Sequence, residues 1–197
     1  MSFTLYADEQ MTREAVSPYQ LDFNGTGKNE FRLYFGSPYS YETLKPKSDE
    51  QIMLIPASRL KKWQPESGYS FGNIVEPTVA NGCMYQVTGN GRTSINEPAW
   101  STELNSQCSS GGVIFVNIGA KFQPEDIRLS LTQSGLDKAT PGAFLALGGQ
   151  LQGGKAIPVF IRITNNDNTP RSDRSDPCII IRLNATTTET IAHSGKL

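Results

Sequence analysis

The sequence predicts an all-β fold, an antiparallel β-sandwich with a small β-hairpin module inserted into it. Three observations carry this. Eighteen glycines and 12 prolines punctuate the 197 residues throughout, which favours many short strands joined by turns over long helices. Apolar and polar residues alternate in several short runs, the two-residue period of a half-buried strand. Between Trp63 and Trp100 the texture changes: proline, glycine, asparagine and aromatic residues crowd together and the apolar runs shrink.

The elements follow in chain order. The residues before Tyr19 fit either a strand or a loose arm. Asn24-Gly-Thr-Gly-Lys-Asn is a turn by chemistry, because glycine and asparagine tolerate positive φ. In Phe31-Arg-Leu-Tyr-Phe, strand alternation places Phe31, Leu33 and Phe35 on one face. Lys45-Pro-Lys-Ser-Asp-Glu is a polar loop, and Gln51-Ile-Met-Leu-Ile is a short strand closed by Pro56. After Cys108 the strand signals strengthen. Gly112-Val-Ile-Phe-Val-Asn-Ile is one strand, and Ile127-Arg-Leu-Ser-Leu-Thr is another, with Ile127, Leu129 and Leu131 inward. Ile157-Pro-Val-Phe-Ile-Arg-Ile-Thr is a third, in which Pro158 marks a sheet edge or a strand start. Cys178-Ile-Ile-Ile-Arg-Leu-Asn-Ala is a fourth, and the polar stretch from Asn165 to Pro177 is a long loop. The tail from Thr186 has no apolar periodicity, which predicts a disordered segment or one bound to a neighbour.

About seven strands at this spacing suit a sandwich. Its simplest form pairs the N-terminal strands with the C-terminal ones, since about 60 residues alone supply too few strands for a stable sandwich. The expected organisation, preferred to two tandem domains, is therefore a discontinuous sandwich of residues 1–62 and 103–197, with residues 63–102 as the inserted aromatic module.

Charge and cysteine content exclude several classes. Eighteen basic and 19 acidic residues leave a net charge of −1, without the basic excess of a nucleic-acid binder. No run of about 18 apolar residues occurs, so no membrane-spanning helix is expected. The opening Met1-Ser-Phe-Thr-Leu-Tyr-Ala-Asp lacks the basic and apolar regions of a secretory signal. Cys83, Cys108 and Cys178, odd in number and widely spaced, fit reduced thiols. Cys83 and Cys108 could bridge if the fold brought them together. The sequons at Asn24 and Asn184 carry meaning only on a secretory route.

The sequence carries no recognisable catalytic centre. The one histidine, His193, lies in the tail, where a solvated side chain is the expected state. Neither C-x-x-C nor H-E-x-x-H occurs, so no zinc site is expected. Asp167, Asp173 and Asp176 could offer oxygen ligands to a hard cation, but the interleaved Arg171 and Arg174 favour a solvated loop. Glu97, beside Pro98 and Trp100, and the pair Glu125-Asp126 are the candidates for a glycosidase-type carboxylate pair, and a turn carboxylate and an exposed acidic pair are the preferred readings. Gly89-Asn-Gly-Arg-Thr resembles a phosphate loop, without the strand and helix that such a loop needs. The expectation is a protein without enzymatic activity, metal or cofactor.

One segment is specific. It runs Trp63, then Tyr69-Ser-Phe-Gly72-Asn-Ile-Val75-Glu-Pro77-Thr-Val-Ala-Asn81-Gly82-Cys-Met-Tyr85, and closes on Glu97-Pro98-Ala-Trp100. Asn81-Gly82 between Val75 and Tyr85 is a hairpin signal. Tyr69, Tyr85 and Trp100 are expected to form an aromatic cluster in place of a larger core. This order resembles a small module of tailed-bacteriophage structural proteins, with a shortened loop before the last tryptophan. It is more distantly similar to small chitin- and cellulose-binding modules. The flanking strands are similar in texture to Ig-like sandwich domains of phage tail, neck and capsid-decoration proteins.

The resemblance implies a structural component of a phage particle (collar, neck, tail-associated or capsid-decoration) in contact with other virion proteins and copies of itself. Such a protein is made in the host cytoplasm and resides in the virion. The second resemblance implies contact with host-surface glycans through exposed faces of Trp63, Tyr69, Tyr85 or Trp100. The competing role for these four rings is to fill the module's own interior.

Overall fold

A computed structural model describes residues 3–15, 27–48, 51–165 and 179–189. The N-terminal part contributes β1 (Thr4–Tyr6), β2 (Gly27–Gly36), β3 (Glu42–Pro46) and β4 (Ile52–Ser58). The middle contributes β5 (Lys61–Lys62), β6 (Gly68–Tyr69), β7 (Ile74–Glu76), β8 (Cys83–Val87), β9 (Gly91–Arg92), β10 (Gln107–Ser110) and β11 (Val113–Ala120). The C-terminal part adds β12 (Ile127–Ser130), β13 (Leu145–Gly148), β14 (Leu151–Gln152), β15 (Ile157–Asn165), β16 (Ile179–Leu183) and β17 (Ala185–Glu189). Two short 3-10 turns, Pro124–Asp126 and Ser134–Asp137, are the only helical elements among the described residues. None is long and apolar enough to cross a membrane.

The all-β, sandwich-like class expected from the sequence is the observed one. One layer is a four-stranded antiparallel sheet in the order β1-β2-β15-β12. Its centre is the β2–β15 ladder, in register from Ile157 opposite Phe35 to Asn165 opposite Gly27. The alternation in these strands sends Leu33, Phe35, Ile127, Leu129, Val159 and Ile161 into one core, with Phe31 packed at its edge. On the outer face Arg162 stands opposite Glu30 and holds it through Nε (2.8 Å) and Nη2 (2.6 Å).

The other layer is bent. β3 and β4 run beside residues 145–152 and 179–189 in two three-stranded sheets, β13-β4-β16 and β14-β3-β17. All three segments break at the same level, and Asn184 seals the break. Its Oδ1 accepts from the Met53 N–H (2.6 Å), its Nδ2 donates to the Gln51 carbonyl (3.0 Å), and its own carbonyl accepts from the Lys47 N–H (3.1 Å). The sequon asparagine is thus a structural plug that satisfies backbone groups left unpaired at the bend. Leu44, Ile52, Leu54 and Ala185 bring this layer to the same core.

The structure corrects several local expectations. Lys45 and Pro46 belong to β3, and β4 runs through Pro56 to Ser58. Pro56 is tolerated because β13 pairs only with the first residues of β4, leaving Pro56 a neighbour on one side. Pro158 is likewise near the start of β15, beyond the reach of β12. Leu131 is 41 % exposed, because β12 ends at Ser130, whose hydroxyl accepts the Thr132 N–H (3.2 Å) and turns the chain. Thr186 to Glu189, expected to be disordered or bound to a neighbour, form β17 against β3, since a threonine run can pair through its backbone without an apolar stripe. Of the opening residues, Thr4–Tyr6 pair with β2. Cys178, the loop aspartates and arginines, and His193 lie outside the described residues.

Among the described residues, seventeen strands replace the expected seven, because two-residue pairings such as β6–β9 leave no alternation to read. One pairing, β5 with β7, is parallel. N-terminal strands do pair with C-terminal ones, through β2–β15, β4–β16 and β3–β17. The middle region's main sheet, in the order β10-β11-β8-β7-β5, runs from Lys61 to Ala120, past the expected limits of 63 and 102. The Gly112–Ile118 strand, expected in the sandwich, is part of this sheet as β11. Val113 and Phe115 complete the aromatic cluster there and leave the sandwich core to others.

Candidate functional site

The Trp63–Trp100 signature is built around the β7–β8 hairpin, in which Val75 stands opposite Tyr85. Its connection is the six-residue stretch from Pro77 to Gly82, longer than a two-residue Asn-Gly turn. Asn81 still shapes the return. Its Oδ1 accepts from the Cys83 N–H (3.1 Å), and Gly82 takes a φ of 84° that a side chain would strain. The Gly82 carbonyl then accepts from the Lys121 N–H (2.9 Å).

Glu97 ties the β7–β8 connection to the closing tryptophan of the motif. Its Oε1 accepts from the Thr78 backbone N–H and from the Trp100 indole N–H, both at 2.8 Å. Burial opposes its ionisation, but these hydrogen bonds and the nearby Lys62 outweigh it and hold the carboxyl below its ordinary value. Glu97 is therefore a turn carboxylate that fixes a loop and a ring. Lys62 Nζ donates to the Thr78 carbonyl (2.8 Å) and holds the same turn from the other side.

The four signature rings occupy two kinds of place. Trp63 and Tyr85 are 4 % and 1 % exposed, inside a cluster with Val75, Cys83, Val87, Val113 and Phe115. Tyr69 and Trp100 pack at its rim. Trp100 lies 4.5 Å from Tyr85 and 5.1 Å from Phe115, centroid to centroid, and Tyr69 meets Phe115 edge-on at 5.7 Å. Edge-to-face and tilted contacts of this kind let positive ring edges meet negative ring faces.

Polar groups close the cluster. The Tyr85 hydroxyl donates to the Ser101 carbonyl (2.9 Å) and accepts from Asn81 Nδ2 (2.7 Å). Burial raises this phenol above its ordinary value. Buried Asn117 adds a second donor to the Ser101 carbonyl (3.0 Å). The Tyr69 hydroxyl accepts from the Gln64 N–H (2.9 Å), and buried Thr93 bridges Gln64 and Ser67. Trp63 Nε1 is the one buried side-chain nitrogen or oxygen without a hydrogen-bond partner among the described residues.

A buried ion pair of the module meets the sandwich at Ser58. Lys121 Nζ lies 2.7 Å from Glu76 Oε2, both side chains fully covered. The hydroxyl of Ser58, at the end of β4, donates to Glu76 (3.2 Å) and accepts from Lys121 (3.3 Å). Neither partner stands out in the sequence, nor does Phe115. The available signal is a polar residue, Asn117, within an otherwise apolar strand.

The remaining candidates serve structure. Cys83 and Cys108 are free thiols, and burial pushes the Cys108 thiol up to about 11. Asp126 accepts from the Gln123 N–H (2.7 Å) within its 3-10 turn, and Glu125 is exposed. The Gly89–Thr93 stretch lies against the β10–β11 turn, with Gly112 N–H donating to the Arg92 carbonyl (3.0 Å). A side chain at Gly91 or Gly111 would strike that neighbouring backbone, which is why glycine stands there. No group of three or more potential metal ligands gathers among the described residues. Comparison with family models, curated proteins and solved structures gave no match.

Proposed function

We propose that this chain is a non-enzymatic structural component of a bacteriophage particle, of the collar, neck, tail-associated or capsid-decoration kind. It acts through contacts with other virion proteins and with copies of itself, on a sandwich of Ig-like character. The observation that carries the reading is how the Trp63–Trp100 signature is used. Trp63, Tyr69, Val75, Asn81, Gly82, Tyr85, Glu97 and Trp100 all hold the module's own fold. The same module leaves Phe71, Val79, Ile95 and Leu104 exposed, apolar side chains of a kind that contact with another protein would cover. A module rigid within and apolar without suits an assembly part.

The test is to add the purified chain to particles that lack it and to follow incorporation by sedimentation. Saturable joining, weakened by Phe71→Ser or Val79→Ser with the fold intact, is the expected result. Failure to join, together with a monodisperse monomer at high concentration, would count against the proposal. Of the four signature rings, Trp63 and Tyr85 have no open face for a sugar, whereas Tyr69 and Trp100 are half-buried at the rim.

A further inference from the structure

A different pair of rings is open to solvent. Tyr39 and Tyr41, in the loop between β2 and β3, are 47 % and 50 % exposed, with centroids 5.4 Å apart and planes inclined by 30°. Among the described residues they are the one ring pair in contact with both members exposed. The loop that carries them is fixed from beneath. The Tyr39 N–H donates to Ser37 Oγ (3.1 Å), and the Tyr39 carbonyl accepts from the Glu42 N–H (3.1 Å). The Ser37 hydroxyl, fully buried, donates to the buried Glu42 carboxylate.

The neighbouring turn locks the same loop from the side. Gly153 and Gly154 donate to the Glu42 and Ser37 carbonyls at 2.9 and 2.7 Å, and Gln152 Nε2 donates to the Ser40 and Glu42 carbonyls. Thr43 Oγ1 donates to Gln152 Oε1 (3.1 Å), which sets the orientation of that amide. A side chain at Gly153 would strike the Tyr39 carbonyl, so the approach of the two backbones depends on glycine there. Two half-exposed rings are thus carried on a loop hydrogen-bonded from beneath and from the side, and neither belongs to the core.

We propose that Tyr39 and Tyr41 form a binding platform for a pyranose unit of a neutral glycan. One face of a pyranose presents several C–H groups in a flat array, which matches the apolar, electron-rich face of a phenol ring. The sugar hydroxyls at the rim would meet the polar loop at Ser40, which is exposed. Because the loop is fixed before any ligand arrives, binding costs little ordering of these rings. The proposal stands apart from the assembly reading, since it uses the sandwich and none of the aromatic module.

The experiment applies the whole chain to an array of neutral, acidic and amino-sugar oligosaccharides, followed by titration of the retained ones. Neutral pyranose-containing glycans should be retained. Tyr39→Ala and Tyr41→Ala should each weaken binding about tenfold. Phe71→Ala, an exposed ring in the other region, should leave it unchanged. Circular dichroism of each variant establishes that it is folded. No retained glycan, retention of acidic glycans alone, or binding indifferent to both tyrosines would overturn the proposal. So would a change in sedimentation of Tyr39→Ala without glycan, which would make the pair a protein contact. Failure to join particles leaves this outcome untouched, so the two proposals fail separately.

Discussion

The sandwich and the aromatic module solve the problem of burial in opposite ways. The sandwich core is aliphatic, with leucine, isoleucine and valine from two layers and little but Phe3 and Phe35 for rings. Its polar backbone is satisfied by long strand ladders such as β2–β15. The module has strands of two to eight residues, so many of its backbone groups lie outside any ladder. Side chains take over: Asn81, Glu97, Thr93 and Asn117 bond to backbone, and large rings fill the space between. A region with few ladder bonds can still be ordered if its polar side chains are placed to satisfy the backbone directly.

The contrast can be broken most severely where the two regions meet. Lys121→Met would leave Glu76 charged and buried beside Ser58 alone, and should cost about 3–5 kcal/mol in a denaturant titration. Adding Glu76→Leu should recover much of that loss, because removing both charges also removes the desolvation penalty. Failure of the double variant to recover would mean that the pair's geometry, more than its charge balance, matters where the regions meet.

Within the sandwich, Leu54→Ala should cost about 2–5 kcal/mol through the cavity left between the layers. Within the module, Tyr85→Phe keeps the ring and removes only the hydroxyl that accepts from Asn81 and donates to Ser101. A loss of about 1–3 kcal/mol is expected, from a partner left unsatisfied. A negligible loss would show that aromatic packing alone holds the module, with no part for its polar side chains.

A smaller effect separates the regions by pH. Folding lowers the Glu97 carboxyl below its ordinary value, so its contribution is present above about pH 4.3 and fades as pH falls through the folded value. Glu97→Gln should flatten that acid limb of the stability curve, with no change near neutrality in its slope. The slightest perturbation is chemical. With a thiol pushed up to about 11, Cys108 should alkylate near pH 8 roughly 100-fold more slowly than an ordinary cysteine, as followed by mass spectrometry of its peptide. Denaturant should abolish the difference.

Much of this fold can be read from local pattern. Phe31-Arg-Leu-Tyr-Phe and Ile127-Arg-Leu carry their inward faces in the two-residue period itself, because a strand has no other way to alternate its side chains. The clustering of Trp63, Tyr69, Tyr85 and Trp100 is legible as well, since short strands separated by glycine and proline leave only rings large enough to fill a core. Leu131 and the Thr186–Glu189 strand escaped such reading for complementary reasons. One is apolar where the strand has already ended, and the other pairs through its backbone without any apolar mark.

What the sequence by itself determined was the all-β class, the inward faces of the long strands and the aromatic identity of the middle region. Each depends on neighbours a few residues apart, and a periodic pattern encodes those. Tertiary structure alone decided that β11 belongs to the module and that Lys121 meets Glu76 across 45 residues of chain. It alone buried Trp63 and Tyr85 while leaving Tyr39 and Tyr41 in the open. A ring's exposure is set by which distant strand closes over it, and no local period records that partner.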